Sequence, residues 1–182
     1  MNKINSICVF CGSNYGSNPI FQKKAEDLGK YLANNKITLV FGGNSDGIMG
    51  TISKTVMKNN GKVIGITAQN IEQITTTSTN ITQIIKTPDI SERKKKMLEY
   101  SDAFIAFPGG WGTLEELSTI ISWKRAELHN KPLALLNVNH FYDKLWAFFQ
   151  ITLQESFISK KDLDSVICSS DIQEIINFFK NF

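Results

Sequence analysis

Short apolar runs rich in β-branched and aromatic residues recur along the chain, and segments with the hydrophobic period of an α-helix separate most of them. The apolar runs predict strands at residues 7–10, 37–41, 63–66, 103–107, 133–137 and 166–168. The helical patterns predict helices at residues 20–33, 48–57, 91–100, 114–128, 142–155 and 172–179. This alternation is typical of an α/β fold, in which helices cover a parallel sheet. A polar, Thr-rich stretch at residues 69–82 interrupts it and is interpreted as a flexible flap.

Length and composition narrow the class of protein. The 182 residues, 42% of them hydrophobic, suffice for one well-buried core and predict a single domain over residues 1–182. A formal net charge of +3 is too nearly balanced to indicate nucleic-acid binding or a membrane-surface role, so any anion site must be local. The first residues lack the pattern of a signal peptide, and no stretch approaches the length of a membrane span. We therefore expect neither a nucleic-acid nor a membrane partner.

The three cysteines form an odd set without a disulfide framework, which predicts a reducing, cytoplasmic location. Cys8 and Cys11 have C-x-x-C spacing, but they fall in a predicted strand, where residues three apart point to opposite faces. A redox pair needs that motif at a helix N-terminus, so we interpret both as small buried residues. His129 near a predicted helix end and His140 in a predicted loop do not indicate a metal site.

Glycine-rich loops follow predicted strands at residues 11–16, 42–47 and 108–113. Each precedes a predicted helix, so its backbone N–H groups and the positive end of the helix dipole are available to an anion. Strand-to-helix turns also need glycine for geometric reasons alone, but three such loops at the carboxyl ends of strands favour a nucleotide. The second loop lacks the Lys and hydroxyl of a P-loop, which disfavours ATP hydrolysis. The third has Glu115 where a dinucleotide fingerprint has its last glycine, which disfavours NAD.

Two adjacent carboxylates follow the third glycine loop. Thr113 and Glu116 have the spacing of a capping box, so a helix start is one interpretation of this segment. A cap needs only one carboxylate, however, and Glu115 stands beside Glu116 in the same predicted turn. The excess of negative charge next to a predicted phosphate loop favours a chemical role for at least one of them.

A basic run lies upstream, before the strand that leads to this loop. Ser91 is the predicted N-cap of a helix whose first turn carries Arg93 and Lys94, where cations oppose the helix dipole. Such a run is either a solvated basic face or an anion contact. Its position favours the anion contact at least as strongly as the solvated face.

At these residues the chain resembles the LOG (Lonely Guy) family of cytokinin riboside 5'-monophosphate phosphoribohydrolases, whose members often carry the label "lysine decarboxylase". The family signature Pro-Gly-Gly-x-Gly-Thr-x-x-Glu is met by residues 108–116, and the partner Arg-Lys motif is met by Arg93 and Lys94. Similar segments at residues 9–13, 41–50 and 131–137 extend the resemblance over most of the chain. The variable position of the signature, often Tyr, is Trp111, and Ile90 and Ser91 stand where members typically have Met and His.

The resemblance implies a single-domain, Rossmann-like fold: a doubly wound parallel sheet with helices on both faces. It also implies a homodimer, no metal and no organic cofactor, and Arg93 and Glu116 as the catalytic pair. In that case the Glu116 carboxylate stabilises the ribosyl cation and orients or deprotonates the attacking water. Arg93 holds the carboxylate, and the glycine loop takes the 5'-phosphate. The substrate contacts expected with them are Lys94, Gly109, Gly110, Trp111, Gly112, Thr113, Leu114, Glu115, Ser122, Ser13, Gly43 and Glu72.

The function expected from these residues is therefore hydrolysis of the N-glycosidic bond of a nucleoside 5'-monophosphate, either AMP or an N6-substituted AMP. The alternative is a nucleotide carrier or sensor without catalytic activity, which keeps the glycine loops. It gives no reason for a carboxylate beside the phosphate, so the pairing of Arg93 with Glu116 argues against it. No residue supports the pyridoxal chemistry of a decarboxylase.

Overall fold

A single parallel sheet of seven strands organises the protein, with the strand order β4-β3-β2-β1-β5-β6-β7. The structure is a computed structural model and describes residues 3–69 and 76–182. Every neighbouring pair of strands is parallel. The strands are Ser6–Phe10 (β1), Thr38–Phe41 (β2), Val63–Ala68 (β3), Gln83–Thr87 (β4), Ala103–Ala106 (β5), Leu133–Leu136 (β6) and Val166–Ser169 (β7).

The helices cover both faces of this sheet. They are Pro19–Asn34 (α1), Gly47–Lys58 (α2), Ile90–Glu99 (α3), Trp111–Arg125 (α4), Asp143–Gln154 (α5), Lys160–Asp164 (α6) and Ile172–Asn181 (α7), with a short 3-10 turn at Val138–His140. Buried residues of α1, α2 and α7 form the core on one face, and those of α3 and α4 form the core on the other. The doubly wound, Rossmann-like α/β fold is therefore confirmed. Among the described residues, none of the helices combines the length and apolarity that crossing a membrane requires.

The central strand β1 shows why the pattern of the sequence leads to this fold. Its alternate side chains enter different cores, with Ile7 and Val9 on the α1 face and Cys8 and Phe10 on the α4 face. Cys11, which follows the strand, belongs to the core on the α1 face. A strand that is buried on both faces reads as a continuous apolar run, which is what the sequence has here. Cys8 and Cys11 are both buried, free thiols, as predicted, and the C-x-x-C spacing is incidental to the strand.

The start of α3 differs from the prediction. The N-cap is Asp89 rather than Ser91, and its carboxylate accepts a hydrogen bond of 2.8 Å from the Glu92 N–H. The Arg93 N–H already donates to the Asp89 carbonyl, so Arg93 lies just beyond the first turn. Asp and Ser cap helices about equally well, so residue type alone did not distinguish these two positions.

The capping box, which was one interpretation of the start of α4, does not form. The helix begins at Trp111 after Gly110, and no side chain caps it. Thr113 is then the third helical residue, and Glu116 lies one turn further on, where it forms an ion pair instead of returning to a cap. The sequence analysis also missed edge strand β4, whose Gln83 and Lys86 hide the alternation that would have indicated it.

Candidate functional site

The strand order reverses between β1 and β5, and the loops that leave these two strands meet at the carboxyl edge of the sheet. The Gly12 N–H donates to the Pro108 carbonyl at 3.1 Å, and a β-carbon on Gly12 would lie 3.5 Å from the α-carbon of Gly109. Such a reversal opens a crevice outside the carboxyl ends of the strands, where doubly wound folds bind their ligands. The first and third glycine loops therefore line the same crevice.

The third loop presents an open helix terminus to this crevice. Among the described residues, no atom beyond the chain neighbours and the backbone of the same helix would lie within 4 Å of a β-carbon on Gly110 or Gly112, so both glycines face open space there. Trp111 between them is 87% exposed. Gly109 behaves differently, because a β-carbon there would lie 2.1 Å from the Thr113 hydroxyl oxygen. A loop that begins an uncapped helix in this way has free N–H groups and a favourable dipole for a phosphate.

Arg93 and Glu116 form a buried ion pair between α3 and α4. Nη1 of Arg93 lies 3.0 Å from Oε1 of Glu116, and their side chains are only 8% and 6% exposed. Glu116 lies one turn after the buried Thr113 on the same helix, so the carboxylate faces inward beside the glycine loop. A charged pair this deeply buried is costly to desolvate and is a weak stability device, which favours a functional reason for it.

The Arg93 guanidinium is fixed by backbone as well as by Glu116. Its Nε donates to the carbonyl of Ile66 within β3, at 2.9 Å. Its Nη2 lies 3.5 Å from the carbonyl of Gly42 in the second glycine loop. The planar fork of an arginine can satisfy these separate acceptors at once, whereas a lysine cannot. Arg93 therefore links strand β3, the loop after β2 and helix α4.

The surroundings of Glu116 favour its neutral form more than water does. Burial raises the pKa of the Glu116 carboxyl above its usual range, and the Arg93 guanidinium offsets only part of this effect. Two thiols lie on the β1 side of the carboxyl, and burial raises the pKa of Cys8 and Cys11 well above the usual range. Both thiols are therefore neutral at physiological pH. A carboxyl with a raised pKa is suited to proton transfer near neutral pH.

A second ion pair lies beside the first. Lys94 contacts Glu115, and its Nζ also donates to the Thr119 hydroxyl at 3.2 Å. The Thr119 hydroxyl in turn donates to Oε1 of Glu115 at 3.2 Å. We name the Arg93–Glu116 contact the inner ion pair and the Lys94–Glu115 contact the outer ion pair.

The other predicted contacts are spread around this centre. Ser13 is exposed in the first loop, and its carbonyl packs so closely against Gly47 that a β-carbon on Gly47 would lie 2.2 Å from it. Gly43 has φ of +83°, and its carbonyl accepts from the Ser78 N–H at 2.8 Å. The described end of the Thr-rich stretch, residues 76–78, is thus hydrogen-bonded to the second glycine loop. Glu72 lies outside the described residues.

Leu114 and Ser122 lie on a different side of α4 from Glu116. Both line a cavity of about 1350 Å³ between α4, α5 and α6, together with Phe148 and Phe157. Ser122 therefore lines this cavity and not the inner ion pair. The described residues contain no cluster of His, Cys, Asp and Glu side chains that could hold a metal ion.

The sequence analysis missed two contributors to the site. Gly42 lies inside a predicted glycine loop, but the neighbouring sequence does not show that the Arg93 side chain occupies the space where a β-carbon at position 42 would lie. Thr119 reads as an ordinary helical residue until α3 is placed against α4. In both cases the missing information is a contact between segments far apart in sequence.

Comparison with known proteins shows the family of this chain. Residues 49–179 match the family model described as "Possible lysine decarboxylase". The cytokinin riboside 5'-monophosphate phosphoribohydrolase LOG3 of Arabidopsis thaliana is 37% identical over 181 residues, which are 100% of this chain and 84% of that protein. LOG1 of the same plant, with the same enzyme name, is 36% identical over 181 residues, 100% of this chain and 85% of its own. The chain belongs to this LOG family.

Solved structures place the LOG-family chain among proteins of the same fold. The molybdenum cofactor binding protein of Rippkaea orientalis has a TM-score of 0.72 at 24% identity, and the match covers 100% of this chain and 98% of that one. A Moco carrier protein of Chlamydomonas reinhardtii has a TM-score of 0.73 at 22% identity, with 99% and 100% covered. At these identities the likeness concerns the fold alone.

Proposed function

We propose that this chain hydrolyses the N-glycosidic bond of a nucleoside 5'-monophosphate with an adenine-type base, releasing the free base and ribose 5-phosphate. The observation that carries the proposal is the inner ion pair, buried one helical turn from an uncapped glycine loop. The names of the relatives LOG3 and LOG1 support the same reaction and point to cytokinin riboside 5'-monophosphates as substrates. Residues 1–182 would act as one catalytic domain.

In the proposed reaction the bond between C1' of the ribose and the base nitrogen breaks, and its electron pair leaves with the base. Positive charge then develops on the ribose ring, as in other glycosyl transfers. Glu116 is the carboxylate placed to stabilise this charge and to accept a proton from the water that adds to C1'. The water supplies the hydroxyl of the product and, through Glu116, the proton that the departing base takes up.

Arg93 has a positioning and electrostatic role in this scheme. Its bonds to the Ile66 and Gly42 carbonyls hold the guanidinium, and the guanidinium holds Glu116 Oε1. A preorganised charge of this kind costs no reorganisation when the transition state forms. Burial raises the pKa of the Glu116 carboxyl, and the Arg93 charge opposes this and so favours the carboxylate form that the reaction needs.

The 5'-phosphate would bind at the N-terminus of α4. Gly109, Gly110, Gly112 and the Thr113 hydroxyl are the groups we assign to it, because they surround the open end of the helix. Trp111 is exposed at the same end and is available to contact the base or the sugar. Ser13 and Gly43 border the crevice from the first and second loops.

The competing function is a nucleotide or cofactor carrier without catalytic activity, and the carrier proteins of the same fold make it a definite alternative. A carrier needs an anion site, but it does not need a buried carboxylate beside that site to act as a general base. The raised pKa and the rigid support of Glu116 favour hydrolysis. The deciding experiment is incubation of the pure protein with AMP and with N6-isopentenyl-AMP, followed by chromatography for free base and ribose 5-phosphate. Tight binding of both nucleotides with neither product formed would favour the carrier.

We further propose that the chain forms a homodimer through the face that carries the α4–α5–α6 cavity. Several large side chains there are exposed in the single chain, among them Phe148 at 55% and Phe157 at 82%. An apolar patch of this kind on a monomer marks an interaction surface, and a symmetric dimer would bury the patch of both subunits.

A cytoplasmic location is proposed from the free thiols of Cys8 and Cys11.

A further inference from the structure

The basic run of α3 contains three consecutive lysines with different surroundings. Lys95 and Lys96 pair with Glu92 and Glu99 of their own helix, and their side chains are 63% and 38% exposed. Exposed ion pairs between neighbouring residues of one helix contribute little to the free energy of folding. The Lys94 side chain is only 13% exposed and reaches across to α4. A lysine is rarely buried without a specific partner, so its position requires an explanation of its own.

The contacts of Lys94 form a closed triangle on α4. Lys94 donates to Glu115 and to the Thr119 hydroxyl, and that hydroxyl donates to the same Glu115 oxygen. Glu115 and Thr119 lie four residues apart, one turn of the helix, so both can face α3 together. The Lys94 ammonium therefore donates its hydrogen bonds to two side chains of α4.

The outer and inner ion pairs run side by side between the same two helices. Adjacent residues of α3, Arg93 and Lys94, contact adjacent residues of α4, Glu116 and Glu115. Two contacts therefore hold α3 to α4, and together they restrict both the separation of the helices and their movement along each other. A catalytic carboxylate needs this kind of support, because a displacement of about 1 Å can cost roughly a hundredfold in rate.

We propose that Lys94, Glu115 and Thr119 form a positioning cluster that holds α3 against α4 and so sets the orientation of Glu116. The inference rests on the proposed hydrolysis and adds to it. It gives Lys94 and Glu115 a role through Glu116, in place of the substrate contact that the resemblance implies for them. Neither residue is then a catalytic residue.

The charges around Glu116 affect its pKa, so a change in the cluster should be visible in the pH–rate profile. Arg93 and Lys94 face it from α3, Glu115 from α4, and the neutral thiols of Cys8 and Cys11 from β1. The Glu115 charge raises the pKa of Glu116 and the Lys94 charge lowers it. Loss of the Glu115 charge should therefore move the acid limb of the pH–rate profile to lower pH, and loss of Lys94 should move it to higher pH.

The experiment compares Lys94→Met, Glu115→Gln and the double variant with the wild type, using AMP hydrolysis between pH 4 and 9 and thermal melting. Lys95→Met is the matched control, because it removes a neighbouring lysine whose ion pair is with Glu92 of its own helix. We expect each single variant of the cluster to lose at least about tenfold in kcat, with KM changed by less than about threefold. The double variant should lose little more than either single variant, since the pair acts as a unit.

Opposite shifts of the acid limb in the two single variants, absent from Lys95→Met, would support the cluster. Additive losses in the double variant, or a change confined to KM, would overturn it in favour of separate substrate contacts. If the wild type released no base from any nucleotide, the proposed function would fail instead. The cluster would then be judged on melting temperature alone, where additive effects of the two substitutions would refute it.

Discussion

A β-carbon on Gly42 would lie 2.3 Å from Nη2 of Arg93, so the guanidinium occupies the space that any other residue at position 42 would fill. The carbonyl of the same glycine is 3.5 Å from that nitrogen. The second glycine loop therefore serves the site by admitting an arginine from α3. This differs from the phosphate contact that its glycine content suggests in isolation.

Substitution Gly42→Ala should displace Arg93 and with it Glu116. We expect kcat for AMP hydrolysis to fall by at least about a hundredfold, because both groups move off the geometry that the transition state needs. Steady-state kinetics and a crystal structure of the variant would test this. Gly42→Ala with unchanged turnover would show that the guanidinium position is not needed. Thermal melting checks that the variant remains folded.

The 5'-phosphate should be required for efficient cleavage. In the proposed site the open N-terminus of α4 would supply binding energy that positions the sugar, and a substrate without the phosphate could not use it. We expect kcat/KM for adenosine to be at least about a hundredfold below that for AMP. Comparable values for the two substrates would contradict the assignment of residues 109–113 to the phosphate. Inhibition by ribose 5-phosphate but not by ribose would provide an independent check.

The proposed dimer predicts a specific response to a charge in the apolar cavity. Phe148 is 55% exposed in the single chain and lines this cavity, so Phe148→Asp should place a carboxylate inside the interface. We expect light scattering to show a dimer for the wild type and a monomer for the variant at micromolar concentration. Phe141→Ser is the control, because Phe141 is 46% exposed but packs against Phe21 of α1. A monomeric wild type with full activity would refute the proposal.

The sequence predicted those parts of the fold that depend on local patterns. The continuous apolar runs identified β1, β2, β3, β5, β6 and β7, because strands buried on both faces have no polar positions to obscure them. Edge strand β4 was missed for the opposite reason. Its exposed Gln83 and Lys86 interrupt the apolar run, whereas the other edge strand, β7, is apolar up to its last residue and was therefore recognised.

For the site, residue types were predictable and contacts were not. The signature motif brought Arg93 and Glu116 into one candidate site, and the structure gives them a direct contact of 3.0 Å. The approach of α3 to α4 depends on the packing of both helices on the sheet, which no local pattern encodes. The same limit explains why Thr119 was overlooked and why the contact between Glu115 and Lys94 was not predicted.

Substitution Glu116→Gln separates the chemical role of this residue from any structural one. The glutamine amide oxygen can still accept from Arg93 Nη1, and α4 begins at Trp111 without help from position 116, so the fold should persist. We expect kcat to fall by at least about a hundredfold, the usual scale for one positioned base or electrostatic group. AMP affinity should remain within about threefold of the wild type, because the phosphate contacts are untouched.

Arg93→Lys is the partner substitution to Glu116→Gln. It keeps the charge but cannot satisfy the Ile66 and Gly42 carbonyls and the Glu116 carboxylate together, so it should also lose at least about a hundredfold in kcat. Lys95→Arg on the exposed face of α3 is the control for general effects of exchanging basic residues. AMP hydrolysis, AMP binding by calorimetry and thermal melting on all the variants complete the test. Near-normal turnover in Glu116→Gln would remove the carboxylate from the mechanism and make the nucleotide carrier the better account of this site.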